Sequence, residues 1–197
     1  MGVELVVVGA SWGGLHAVSA LLGGVSDDIR APIVLAQHRG TQAPDILVAS
    51  LQRASARPVQ EVEDKDPIEP GRVYVAPADY HLLVSLWGFE LSVDERVQHA
   101  RPSIDVLFES AAEVYRERVV GVLLTGANGD GTAGLGRIRA EGGVTLVQDP
   151  ATAVSPRMPA SAIAAGVADH VVPLGDLPAA LLQACGPGRR LMRRRTA

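Results

Sequence analysis

The chain is predicted to be an α/β protein. Its expected architecture is a doubly wound, mostly parallel sheet between two helical layers, a three-layer αβα arrangement of Rossmann-like type with one small antiparallel hairpin. Three observations predict it. Short apolar runs of Val, Leu, Ile and Ala recur at residues 3–8, 32–36, 119–124 and 144–147, as in strands buried on both faces. Segments with apolar residues at helical spacing stand between them. Glycines punctuate the alternation at 9–14, 23–24, 125–131 and 142–143.

The elements follow in order. Residues 3–8 form the first strand, and 9–14, GASWGG, a glycine turn. Apolar residues at 15, 18, 21 and 22 predict a helix over 15–22, ended by Gly23 and Gly24. A strand at 32–36 leads through a loop to a helix from about Pro44 to Ala54, with Pro44 in its first turn. Strands at 59–62 and 72–76 flank an acidic, irregular stretch and the turn at Pro70–Gly71. The runs 81–86 and 89–93, joined across Trp87–Gly88, predict a hairpin. Residues 103–115 are apolar at 104, 107, 108, 111, 114 and 115, which predicts a helix. The strand at 119–124 runs into the loop TGANGDG at 125–131, and a helix then extends to about Ala140. A strand at 144–147, a helix at 158–165, a strand at 167–172 and a helix at 177–184 complete the chain.

Composition excludes several classes. Of 197 residues, 47% are hydrophobic and 20% charged, the balance of a folded domain rather than a disordered one. One cysteine, Cys185, allows no intramolecular disulfide and no cysteine-rich zinc cluster. No apolar run reaches the ~18 residues of a membrane span, and the N-terminus lacks the basic region of a signal peptide. A cytoplasmic protein is expected, with no membrane insertion. The net charge is −4, but the last twelve residues hold five arginines and no acid. Without those arginines the body, residues 1–185, carries −9. An acidic body binds duplex DNA poorly, so no nucleic-acid partner is expected. Residues 1–185 read as one domain, and 186–197 as a basic, disordered tail.

In a doubly wound sheet, sites form at the carboxyl ends of the strands. Three predicted strand ends carry polar groups suited to acyl transfer: Ser11, His38 and Asp130. Serine needs a base to become nucleophilic, and a histidine base needs an acid to hold its tautomer. Residues 9–13, GASWG, fit G-x-S-x-G in the strand-to-helix setting that motif requires. A phosphate-binding or purely connecting glycine turn fits the same pentapeptide, although the residues do not spell G-x-G-x-x-G. His38 competes with His16, His99, His170 and above all His81, which begins the hairpin. Asp130 is equally suited to cap the following helix. No pair among His38, Asp79, His81 and Asp130 has metal-ligand spacing, and neither a metal nor a cofactor is expected.

Taken together, these segments resemble the catalytic domain of CheB-type chemoreceptor glutamate methylesterases. The likeness runs from about Val3 to Leu182, through GASWGG at 9–14, QH at 37–38, APADYH at 76–81, RPSIDVLF at 101–108, TGANGDGTAG at 125–134 and MP at 158–159. The resemblance implies hydrolysis of glutamate γ-methyl esters on receptor signalling helices, giving glutamate and methanol, with glutamine deamidation in many relatives. It implies Ser11 as nucleophile, His38 as base, Asp130 as orienting acid and the Ala127 N–H as an oxyanion donor. Asp79, His81, Arg101 and Asp105 fall in matching motifs without assigned chemistry. The expected partners are the cytoplasmic helices of methyl-accepting receptors or another methylated protein, and the expected state is a monomer.

Three departures stand out from that family's pattern. The catalytic domain begins at Met1, where family members usually carry a receiver domain, so regulation by a separate receiver-type protein is expected. Trp12 stands beside the nucleophile where a small residue is usual. Ala127 and Arg39 stand where methionine is common. Trp12, Gly13, Arg39 and Ala127 are thus the expected ester pocket. A silent or re-purposed binding module, with Trp12 filling that pocket, is the competing reading, and a nucleotide-binding protein using Gly13–Gly14 is a third.

Overall fold

The computed structural model describes residues 2–40 and 46–186. Among these residues, seven strands form one fully parallel sheet. In chain order they are β1 (Leu5–Ala10), β2 (Ile33–Gln37), β3 (Val59–Glu61), β4 (Val73–Val75), β7 (Val119–Leu123), β8 (Val144–Gln148) and β9 (His170–Val172). Their order across the sheet is β3-β4-β2-β1-β7-β8-β9. The chain winds outward from β1 to one side and returns to build the other side from β7. The switch therefore lies between β1 and β7, where a doubly wound sheet opens its crevice.

Among the described residues, six helices cover the two faces: α1 (Gly14–Gly23), α2 (Ile46–Ala54), α3 (Ile104–Tyr115), α4 (Thr132–Ala140), α5 (Arg157–Ala164) and α6 (Leu177–Cys185). Alternation along β1 explains the two cores. Leu5 and Val7 pack with α3, α4 and α5, whereas Val6, Val8 and Ala10 pack with α1, α2 and α6. The predicted hairpin is β5 (His81–Ser85) with β6 (Gly88–Ser92), a separate antiparallel pair. It packs on α3, where the Val84 N–H donates to Ser110 Oγ at 3.1 Å.

Most element bounds lie within a residue or two of expectation, and three differences have a clear physical cause. The hairpin turn is Leu86–Trp87, because Gly88 pairs with Ser85. Gly88 sits at φ 140°, and an added Cβ would lie 2.4 Å from the Asp66 carbonyl oxygen. The last strand is three residues rather than six. Residues 167–169 spend their polar groups on Thr145, whose Oγ1 bonds Val167 O and Asp169 N–H, instead of on a ladder. The first strand ends two residues later than predicted, because Ala10 still pairs with Gln37. The predicted first turn of α2 at Pro44 and the basic tail beyond Gly186 lie outside the described residues.

Candidate active site

Three chain segments meet at the carboxyl end of the sheet. The Ser11 N–H donates to Thr125 O at 2.9 Å, and the His38 N–H donates to Ala10 O at 3.0 Å. These bonds continue the parallel ladders past the strand ends, so the residues that follow β1, β2 and β7 are held side by side. The Ser11 carbonyl accepts the Gly14 N–H at 2.8 Å and the Gln37 side-chain amide at 2.8 Å. Gly13 closes this turn at φ 81° as the N-cap of α1. A Cβ there would be strained and would lie 2.5 Å from Val154 Cβ.

His38 Nε2 lies 2.7 Å from Asp130 Oδ2. Asp130 is wholly buried. It accepts five hydrogen bonds: from His38, from Ser103 Oγ at 3.0 Å, and from the N–H groups of Ile104, Asp105 and Gly131 at 2.8, 2.9 and 3.0 Å. Three of these donors belong to α3 or its N-cap Ser103, so a helix N-terminus faces the carboxylate. Burial alone raises the Asp130 pKa, but the bonds from His38, Asp105 and Ile104 outweigh it and hold the carboxyl below its ordinary range. An ionised Asp130 can only accept. His38 therefore carries its proton on Nε2, which leaves the Nδ1 lone pair free to accept.

Asp105 sits one residue into the same helix and is also buried. Its Oδ1 accepts the Gly134 N–H at 2.8 Å, and its Oδ2 accepts from Gln98 Nε2 at 3.1 Å. Burial pushes its pKa up to about 6; the Gly134 bond opposes this and the Asp130 charge adds to it. His81, the rival histidine, is a structural pin. Its Nδ1 accepts the Ser103 N–H at 3.2 Å and its Nε2 donates to Glu95 O at 3.0 Å. Ser103 and Gln37, which orient Asp130 and the Ser11 turn, fall in the RPSIDVLF and QH motifs, but neither is among the site residues expected from the sequence. The sequence signal for Ser103 was its N-cap position before an apolar helix.

The structure does not gather every expected residue at one place. Ser11, Trp12, Gly13 and His38 line a cleft of about 570 Å³, with Leu15 on its apolar wall. No hydrogen bond joins the Ser11 hydroxyl to His38 among the described residues. Trp12 is 71% exposed and does not fill the cleft. Its carbonyl accepts from Thr125 Oγ1 at 2.9 Å, which ties the serine turn to the 125–131 loop. Ala127 is exposed on that loop. Arg39 lines a different cleft, beyond His38, and pairs with Glu61 and Ala76 O. Asp79 bonds Arg96 and Arg101. Among the described residues, no group of three or more His, Cys, Asp or Glu side chains is placed to hold a metal.

The CheB methylesterase family profile matches residues 6–181. The chain belongs to the CheB methylesterase family. A relative from Leptospira interrogans serovar copenhageni, provisionally named protein-glutamate methylesterase/protein-glutamine glutaminase, is 44% identical over 175 residues, covering 88% of this chain and 91% of its own. A relative from Anaeromyxobacter dehalogenans, named protein-glutamate methylesterase/protein-glutamine glutaminase 2, is 41% identical over 91% of this chain and 52% of its own. The chain thus spans nearly all of the first CheB relative and about half of the second. The crystal structure of the Thermotoga maritima CheB methylesterase catalytic domain superposes with a TM-score of 0.89 at 33% identity, covering 92% of this chain and 98% of that one. Among the described residues, no helix is long and apolar enough to cross a membrane.

Proposed function

We propose that this chain is a serine esterase that hydrolyses glutamate γ-methyl esters on chemoreceptor signalling helices and deamidates glutamine at the same site. The observation that carries this reading is the 2.7 Å pairing of His38 with the buried Asp130, next to the Ser11 turn. Ser11 Oγ attacks the ester carbonyl as His38 Nδ1 takes its proton. The tetrahedral oxyanion is held by backbone N–H groups at Ala127 and Trp12, the latter at the N-terminus of α1. The C–O bond to methanol breaks as His38 returns the proton to the leaving oxygen. Water then attacks the acyl-enzyme by the reverse sequence, releasing the glutamate carboxylate and restoring Ser11. With glutamine, ammonia leaves in place of methanol. The Ser11–His38 hydrogen bond closes when substrate fills the cleft, as is common for apo sites.

The names of the relatives and the exposed position of Trp12 support catalysis over a silent module. The test is methanol release from a methylated receptor signalling fragment, with Ser11→Ala as control. Release by the parent chain that disappears in the variant is expected. Release that persists in Ser11→Ala would overturn the mechanism, and no release from a fragment that another methylesterase demethylates would overturn the activity.

A further inference from the structure

A second cleft, of about 360 Å³, opens on the other side of His38 from the Ser11 cleft. Arg39, Arg96, His99, Arg101 and Asn128 line it with His38, and among the described residues no Asp or Glu does. The ion-pair count leaves a surplus of positive charge. Asp79 Oδ1 is shared by Arg96 at 2.6 Å and Arg101 at 2.9 Å, and Arg39 pairs with Glu61. Among the described residues, three arginines thus face two carboxylates, on a body whose net charge is negative. A second observation is independent of that count. The Arg39 side chain is only 9% exposed, and its Nε–H is buried without a hydrogen-bond partner among the described residues. A buried donor left unpaired is costly, and an arginine fork matches a carboxylate in shape and charge.

The wall of the cleft is also built at a cost. Gln98 and His99 both lie at positive φ, 48° and 66°, in a two-residue turn closed by reciprocal bonds between Val97 and Ala100. Glycine or asparagine would suit such a turn better. The turn instead ties Gln98 to Asp105 and places His99 on the cleft.

We propose that this cleft is a substrate-recognition subsite that takes a carboxylate of the methylated polypeptide, on a residue about one helical turn from the ester. The inference rests on the esterase reading for its choice of ligand. The substrate segment lies across His38, with its ester toward Ser11 and an acidic neighbour toward Arg96 and Arg39. Arg96 is the half-exposed member of the set and makes the first contact.

Two helical peptides test this. Both carry one glutamate γ-methyl ester, with glutamate flanking it at three and four residues in one and glutamine in the other. Calorimetric binding is measured on full-length Ser11→Ala, which turns over neither peptide. The acidic peptide is expected to bind about five- to tenfold tighter at low ionic strength, with the ratio shrinking as salt is raised to 0.5 M, roughly where screening cuts off near 4 Å. Adding Arg96→Gln is expected to bring the ratio to about twofold or less. Adding Arg137→Gln, an equal loss of charge at the far end of α4, is expected to keep it. Equal binding of the two peptides, or a ratio that Arg96→Gln leaves intact in a variant with parental melting behaviour, overturns the subsite. Methanol release by the parent chain reads the esterase separately: a charge preference in binding without release sinks the activity and keeps the subsite, whereas release with no preference does the reverse.

Discussion

Asp130 accepts five hydrogen bonds, and only one comes from the histidine it is proposed to orient. The other four hold the carboxylate in place and ionised. Asp130→Asn puts a donor where only an acceptor fits, and His38 is then driven to the wrong tautomer. A fall in kcat of about 10³–10⁴ is expected for methanol release, with little change in the fold by circular dichroism. Asp105 gives an opposite pH signature. Its folded pKa, about 6, lies above the ordinary 3.8, so between those values the folded chain holds a proton that the unfolded chain has lost. Its contribution to stability is therefore full below about 4 and is lost as pH rises through 6. Asp130, with its pKa lowered, contributes fully above 3.8 and loses that contribution only as pH falls further. Asp105→Asn is expected to remove the decline between pH 4.5 and 7 while keeping the bond to the Gly134 N–H. Parallel urea-denaturation curves of stability against pH for parent and variant would count against this. At this scale the residue types were legible, because serine, histidine and aspartate each lay in the segment that follows a predicted strand. Which nitrogen of His38 meets Asp130 was not, since that depends on the direction from which α3 approaches.

The close approach of α3 and α4 supports this arrangement. Gly134 permits it: an added Cβ would sit 2.4 Å from Phe108 Cβ and 3.1 Å from Asp105 O. Gly134→Ala must separate the helices or bend α4, and it disturbs the N–H that Asp105 accepts. Overpacking of this kind costs about 1–3 kcal/mol, a fall in Tm of roughly 2–12 °C for a domain of this size. A melting point within 1 °C of the parent would show that the contact gives way freely. The helices were visible in apolar spacing, and Ser103 as a cap for α3 agrees with the predicted start at 103. The hairpin turn and the last strand were misplaced by one and three residues. Apolar runs do not record that Gly88 is pressed against Asp66 O, or that Thr145 draws residues 167–169 out of the ladder.

Across the whole molecule, the site depends on pairing between segments far apart in sequence. β1 holds β2 on one edge and β7 on the other, and residues 11, 38 and 130 meet only if both ladders form in register. The site is therefore expected to lose its geometry when the sheet opens, and not before. Trp12 lies on the cleft, and Trp87→Phe leaves it as the sole tryptophan. In that variant, fluorescence of Trp12, far-UV circular dichroism and methanol release should lose signal at one common urea midpoint. An earlier midpoint for fluorescence and activity would mean that the strand ends loosen while the sheet survives.

By itself the sequence determined the fold class, the order of nearly every element, the family and the three residue types at the strand ends. Each of these is written locally: apolar runs of strand length, helical spacing, glycine at the turns, and short motifs in a set order. Only the tertiary structure decided that both ring nitrogens of His81 are engaged by the backbone, that Trp12 stands open beside Ser11, and that Arg39 faces a second cleft with Arg96 and Arg101. Those outcomes depend on which side chains meet across loops and layers. Contacts between residues tens of positions apart leave no periodic trace along the chain, because they are set by how the layers pack and not by any one segment's preference.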